Sequence, residues 1–249
     1  MSQTTTTGTE TMRLPATMRA WQWSTCGTTL EEAIQLNESV PLPTAKRPLA
    51  SGESLIQVHA AALNQVDYKL AELPIVGRMA IPKPATPGLD FAGRVAEVGP
   101  DCDLTVGQMV FGKLEPKQQF GTLGEFIIGS KAGTVPMPDG ISAEQAATLG
   151  VCGLVTYQCL APNVKAGDRV LINGGSGGTG TFAIQIAKAL GCYVTTTCSG
   201  KRPTVATMMH FLIPHSRKCS ALQGSWGRRS HRLSPERCTY HSGKQLKPL

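Results

Sequence analysis

From Arg169 onward the chain runs through an apolar strand, a glycine-rich turn, a helix and a second strand, and few folds accept that order. Arg169-Val-Leu-Ile172 reads as a strand buried in a parallel sheet. The turn that follows contains Gly175-x-Gly177-x-x-Gly180. The next segment carries Phe182, Ala183, Ile186, Ala187 and Leu190 at helical spacing, with Gly191 as its C-terminal stop. Cys192 to Cys198 is rich in β-branched residues and predicts a second strand. A glycine-rich turn between a strand and a helix is the pattern of a doubly wound α/β domain that binds a dinucleotide. The first glycine allows the tight turn, the second lets backbone approach a pyrophosphate, and the third lets helix pack on strand. Gly175, Ser176, Gly177, Gly178, Thr179 and Gly180 are therefore candidate cofactor-binding residues, with amides at the helix start facing the phosphate charge. The plainer alternative, an ordinary glycine turn in a parallel sheet, is disfavoured by the flanking elements.

The type of nucleotide is read at the end of the second strand, where an Asp or Glu would hold the ribose hydroxyls of NAD. No acid occurs between Asp168 and Glu236; the strand runs instead into Ser199, Lys201 and Arg202. A hydroxyl and two cations suit a 2′-phosphate, so the expectation is NADP(H). The alternative is that Lys201 and Arg202 merely solvate a loop.

The chain ahead of this region has a different texture. A leader over 1–17, expected to be disordered, ends where a first strand begins near Met18. Strands are expected at Glu53 to Asn64, at 91–99, and in short pieces at 108–112, 123–128 and 133–135, each bounded by glycine or proline. Such spacing suggests a small barrel or sandwich. Ser142-x-x-Gln145 is a capping box opening a helix expected to run to about Leu160. The apolar stretch from Ala146 to Ala161 includes Thr148, Thr156 and Gln158, too polar and too short to span a bilayer, and reads as a buried helix. Eight cysteines without a CxxC pair are expected to be reduced packing residues in a cytoplasmic protein, and the polar N-terminus is not a signal peptide.

The pieces Ala62-Leu-Asn64-Gln-Val-Asp67-Tyr68, Pro87-Gly-Leu-Asp90-Phe91-Ala-Gly93, Val106 to Gly112, Gly124-Glu125-Phe126 and Ala166 to Gly175 occur together in this order. In them the chain resembles the medium-chain dehydrogenase/reductase superfamily, in its zinc-independent quinone oxidoreductase and enoyl reductase branch. The resemblance covers 18–202. It implies a GroES-like β-barrel domain over 18–150 carrying the substrate site, then the first part of a Rossmann domain over 151–202. It also implies reduction of quinones or α,β-unsaturated carbonyls with NADPH, within a biosynthetic pathway or outside one. Asn64 and Asp67 match the family motif beside the nicotinamide, and Tyr68 is a candidate proton donor. A bland reading, in which Asn64 and Asp67 brace a loop and Tyr68 packs, is equally open. Relatives carry Thr in a Gly-Leu-Thr stretch near the cofactor, where this chain has Gly153-Leu154-Val155 with Thr156 one place on. Zinc-dependent members need a Cys near Asn64, a His-Glu pair after Gly88 and four cysteines near 111–121. Here stand Asn64 and Leu89-Asp90, with no cysteine between 103 and 151, so no metal is expected.

The formal charge of +7 comes from the last stretch. Residues 203–249 hold eight Lys and Arg against Glu236 alone, leaving 16 basic and 16 acidic residues in the rest. Their four prolines and lost periodicity predict an aberrant, poorly ordered basic tail, as from a frameshift, a retained intron or a mispredicted exon. Cys219, Cys238 and His241 fit no metal-site spacing. Two rival functions follow from this tail. One is a catalytically inactive, truncated remnant lacking later strands and the family's dimer-forming segments. The other, nucleic-acid binding, rests on charge with only scattered aromatics, so neither nucleic acid nor membrane is expected as a partner beside a small-molecule substrate.

Overall fold

The computed structural model describes residues 14–198 apart from 46, 74–78, 80 and 117. The 203–249 tail and the Ser199, Lys201 and Arg202 positions lie outside the described residues. The chain divides between Gly150 and Val151 into two compact units.

The first unit is built on a curled antiparallel sheet. Its strands are β1 (Thr17–Gln22), β2 (Gln35–Pro41), β3 (Glu53–Ala62), β4 (Asp90–Val98), β5 (Met109–Lys113), β6 (Phe126–Ser130) and β7 (Thr134–Pro136). β6, β3, β4, β5 and β7 pair in that order, and β1 pairs with β2. A bridge from Ala20 to Gly124 brings β1 to the edge of the larger sheet. β1 alternates exposed and buried residues, as a strand with one wet face should. β4 does not: Phe91, Ala92 and Val95 are all fully buried, because both of its faces meet packed side chains. On one face Phe91 and Val95 join Ile56, Val110, Leu114 and Ile127; on the other, Ala92 meets Ala146 and Ala147.

Sequence-based strand expectations are met within a few residues, but β2 and two short helices, α1 (Leu30–Ala33) and α2 (Gln65–Glu72), are additional. The capping box at Ser142 forms as expected, with Gln145 N donating to Ser142 Oγ at 3.3 Å and Ser142 N to Gln145 Oε1 at 2.9 Å. The helix it opens, α3 (Ala143–Ala147), is shorter than expected. A wide π-type turn over Leu149–Gly153 separates it from α4 (Leu154–Leu160). Gly150 explains the break: a Cβ there would lie 2.4 Å from Asp90 Oδ1 and 2.8 Å from the Gly112 carbonyl, so backbone takes the place of a side chain. Nor is the region a wholly buried helix, since Leu154, Val155 and Tyr157 are exposed.

The second unit contains α4, β8 (Arg169–Ile172), α5 (Gly178–Ala189) and β9 (Tyr193–Thr196), with β8 and β9 parallel. Leu160, Val170, Ile172, Ile184, Ala187, Cys192 and Val194 form its core. Ala187 is fully buried and Ala183, Ile186 and Leu190 pack at the margin as the helical spacing led one to expect, but Ile184, which that spacing did not single out, is buried on α5 as well. Gly191 ends the helix with φ +78°. Cys26, Cys102, Cys152, Cys192 and Cys198 are free thiols, whereas Cys159 is disulfide-bonded, contrary to the sequence reading of eight reduced thiols.

Candidate functional site

In the first unit, sheet register assembles the polar cluster. β3 and β4 run antiparallel with Ala62 opposite Asp90, so the residues just past Ala62 fall beside the start of β4. Asn64 Nδ2 donates to Asp90 Oδ2 at 2.9 Å, and Asn64 is also the N-cap of α2. Asp67, one helical turn on, accepts the Asn64 backbone N–H at 2.5 Å through Oδ2, completing a reciprocal capping box. Asn64 therefore touches two carboxylates at once. Its position is set from both sides.

Asp90 is 1 % exposed, so its polar atoms depend on partners inside the fold. Asp67 is less enclosed but still pushed up to about 6. Burial is the main cause; the charge of Asp90 adds to it, while the amides of Asn64 and Leu89 oppose it. The Leu89 amide is near enough to favour the charged form without completing a hydrogen bond to Asp67 Oδ1, which has no partner. A cavity of about 40 Å³ opens here, walled by Trp23, Val66, Leu70 and Ile81 on the apolar side and by Asp67 and Thr86 on the polar side. Leu89, where zinc-dependent relatives would need a ligand, packs against the Phe91 cluster. Among the described residues, no group of three or more His, Cys, Asp or Glu side chains could hold a metal.

Tyr68 is placed differently from its neighbours. It is 36 % exposed, with Lys69 Nζ 4.9 Å from its ring centroid, and it does not line that cavity.

In the second unit the glycine-rich turn is shaped by close approach of backbone. Gly174 adopts φ +77°, turning the chain out of β8. A Cβ on Gly175 would lie 2.0 Å from Thr196 Oγ1, and one on Gly180 would lie 2.2 Å from the Gly174 carbonyl. The first and third glycines of the motif are thus fixed by close approach of β9 and of the turn itself. Gly177 is the N-cap of α5 and supplies no side-chain cap, so the amides of Gly178, Thr179 and Gly180 begin the helix without one. Amides without a side-chain cap at the positive end of a helix dipole could hold a dinucleotide pyrophosphate. Ser176 sits in the turn between them.

Side chains that the motif does not announce hold this turn in place. The Thr197 hydroxyl accepts from Gly174 N at 3.0 Å and donates to Asn173 Oδ1 at 2.5 Å; Thr196 Oγ1 donates to the Ile172 carbonyl at 2.9 Å. Thr156, 3 % exposed, places its hydroxyl 2.7 Å from the Cys152 carbonyl and 3.2 Å from that of Thr179. The threonine displaced by one place in the sequence is thus tied to the turn itself. The β-branched CYVTTTC run signalled a strand; that two of its hydroxyls would prop the turn is visible only once β8 and β9 are paired.

Comparison with known proteins agrees with both units. Residues 50–148 match the alcohol dehydrogenase GroES-like domain. The chain is 45% identical over 194 residues to the trans-enoyl reductase pgmF of Aspergillus terreus, covering 75% of this chain and 54% of that protein. It is 32% identical over 194 residues to a chloroplastic quinone-oxidoreductase homolog of Spinacia oleracea, covering 74% of this chain and 56% of the other. The solved quinone oxidoreductase of Coxiella burnetii superposes with a TM-score of 0.70 at 30% identity, covering 82% of this chain and 64% of that one. The chain spans about half the length of the curated relatives it matches. With a GroES-like sheet, a strand–glycine turn–helix unit and these homologues, the chain belongs to the medium-chain dehydrogenase/reductase superfamily.

Proposed function

We propose that this chain carries the substrate-side domain and the pyrophosphate cradle of an NADPH-dependent reductase acting on quinones or α,β-unsaturated carbonyls, of enoyl reductase type. The observation that carries this reading is the glycine turn, where backbone packed to within van der Waals limits ends on an uncapped helix start. Gly175, Ser176, Gly177, Gly178, Thr179 and Gly180 would hold the pyrophosphate, and Ser199, Lys201 and Arg202 the 2′-phosphate. When bound, the reduced nicotinamide supplies a hydride to the substrate carbon.

The chain's own residues do the rest. Asn64, fixed between Asp67 and Asp90, holds its amide in one orientation. Asp67, pushed up to about 6, exchanges a proton near neutral pH more readily than an ordinary aspartate. Tyr68 carries its phenol at an exposed position on α2, where it can donate a proton only to a group outside the cavity described above.

Titrating the whole chain with NADPH and NADH while following fluorescence tests the cofactor. NADPH is expected to bind at least about tenfold more tightly, and Arg202→Glu to erase that preference. Failure of both nucleotides to bind overturns the reading. Binding of NADPH without turnover of any quinone or enone would instead favour an inactive remnant.

A further inference from the structure

Among the described residues, four buried side-chain oxygens lack a hydrogen-bond partner, and three of them, Asp67 Oδ1, Thr86 Oγ1 and Thr122 Oγ1, belong to residues that line one cavity or adjoin its lining. Thr86 is 3 % exposed and Thr122 2 %. The loops that carry the threonines are stitched together, with Gly121 N donating to the Thr86 carbonyl at 2.9 Å and Thr122 N to the Gly88 carbonyl at 3.0 Å. Gly88 lies between them with φ +102°, and a Cβ there would fall 2.2 Å from Thr122 Oγ1. The Thr122 hydroxyl stands where a Gly88 side chain would be, so it adjoins two cavity-lining residues, Gly88 and Gly121, although Thr122 does not itself line the cavity. Asp67, Thr86, Gly88 and Gly121 all line the 40 Å³ cavity. A single water needs roughly 10–15 Å³ of such space and two to four polar partners, so there is room for two or three.

We propose that this space is a built hydration site, in which ordered water bridges Asp67 Oδ1 to the hydroxyls of Thr86 and Thr122. The alternatives fit less well. An apolar occupant would leave three buried oxygens unpaired, and a dry cavity would do the same. An anion would meet the Asp67 carboxylate. The bridging water ties the start of α2, and with it Asn64, to the 86–89 loop that precedes Asp90. Both ends of the Asn64 brace are then held by the same solvent molecules. The site concerns the folded first unit and stands whether or not the chain reduces a substrate.

A crystal structure of the unsubstituted chain at better than about 2 Å tests this directly. Solvent peaks are expected about 2.6–3.2 Å from Asp67 Oδ1 and from at least one of the two hydroxyls. An empty space, with both hydroxyls turned onto backbone carbonyls, overturns the proposal. Thr122→Val and Thr86→Val give an independent reading by urea denaturation. If the hydroxyls bind water, each variant unfolds at lower urea, because a bridged group has been lost. If the site is dry, replacing an unpaired hydroxyl by a methyl group leaves the midpoint unchanged or raises it, which overturns the proposal.

Discussion

β4 in the first unit and β8 in the second both contribute apolar side chains to the core of their unit, yet they are buried in different ways. β4 is closed on both faces, with Phe91, Ala92 and Val95 each fully out of solvent. β8 is closed on one: Val170 and Ile172 are buried under α5, while Leu171 is 58% exposed and Tyr193, opposite Arg169 on β9, is 68% exposed. Parallel strands are ordinarily covered on both faces. A central antiparallel strand therefore carries the stability of its unit, whereas the parallel pair carries a turn whose shape depends on local backbone contacts. The largest test of that difference is Phe91→Ala. Removing a fully buried aromatic from the β4 core is expected to cost about 3–5 kcal/mol, read by urea denaturation. A cost under about 1 kcal/mol would break the comparison.

Charge inside the first unit offers a second test. Asp67 has an ordinary aspartate value of 3.8 and is pushed up to about 6 in the fold. The folded state then holds this proton more tightly than the unfolded chain. The contribution to stability is complete below about pH 4, falls as the pH rises toward 6, and is gone above it. A shift of about two units corresponds to at most about 3 kcal/mol, and partial exposure reduces it. Asp67→Asn keeps an acceptor for the Asn64 amide but cannot ionise. Urea midpoints measured from pH 4 to pH 8 are expected to decline less steeply in this variant than in the parent. Equal slopes would show that another group titrates in that window.

The second unit should answer to backbone rather than to charge. Gly180→Ala places a methyl 2.2 Å from the Gly174 carbonyl and 2.7 Å from Gly175 Cα, neither of which can rotate away. Overpacking of this kind costs about 1–3 kcal/mol and displaces the amides at the start of α5. NADPH affinity is expected to fall by more than stability, by about tenfold or greater. Unchanged affinity would remove the turn from the binding site.

The same contrast explains what the sequence could and could not disclose. The glycine turn was legible because three of its glycines answer local requirements: a positive φ at Gly174, close approach at Gly175 and Gly180. The capping box at Ser142 was legible for the same reason. α2 escaped notice although Asn64-x-x-Asp67 is itself a capping signal, because no apolar period follows it strongly enough to suggest a helix. The expectation that α3 continues to Leu160 failed at Gly150, where the constraint is a carboxylate 60 positions earlier in the chain. Likewise the contact of Asn64 with Asp90 depends on sheet register, and Tyr68 could not be separated from Asp67 without knowing which side of α2 each takes. Local geometry is written in neighbouring residues; a buried polar cluster is not.

The smallest effect completes the comparison. Leu171→Thr replaces an apolar side chain on the open face of β8 by one with good strand propensity. Because Leu171 is 58% exposed, little apolar area returns to water, and the change is expected to alter stability by no more than about 0.5 kcal/mol. Val170→Ala, one residue earlier and facing α5, removes buried methyl groups and should cost several times as much. Thermal unfolding of the two variants side by side reads the ratio. If Leu171→Thr proves as costly as Val170→Ala, the outer face of the parallel pair is covered in solution, and the two units differ less than their exposed surfaces imply. If it is silent, the second unit is held from one side, and its glycine turn keeps its shape through α4, α5 and the threonines of 156, 196 and 197.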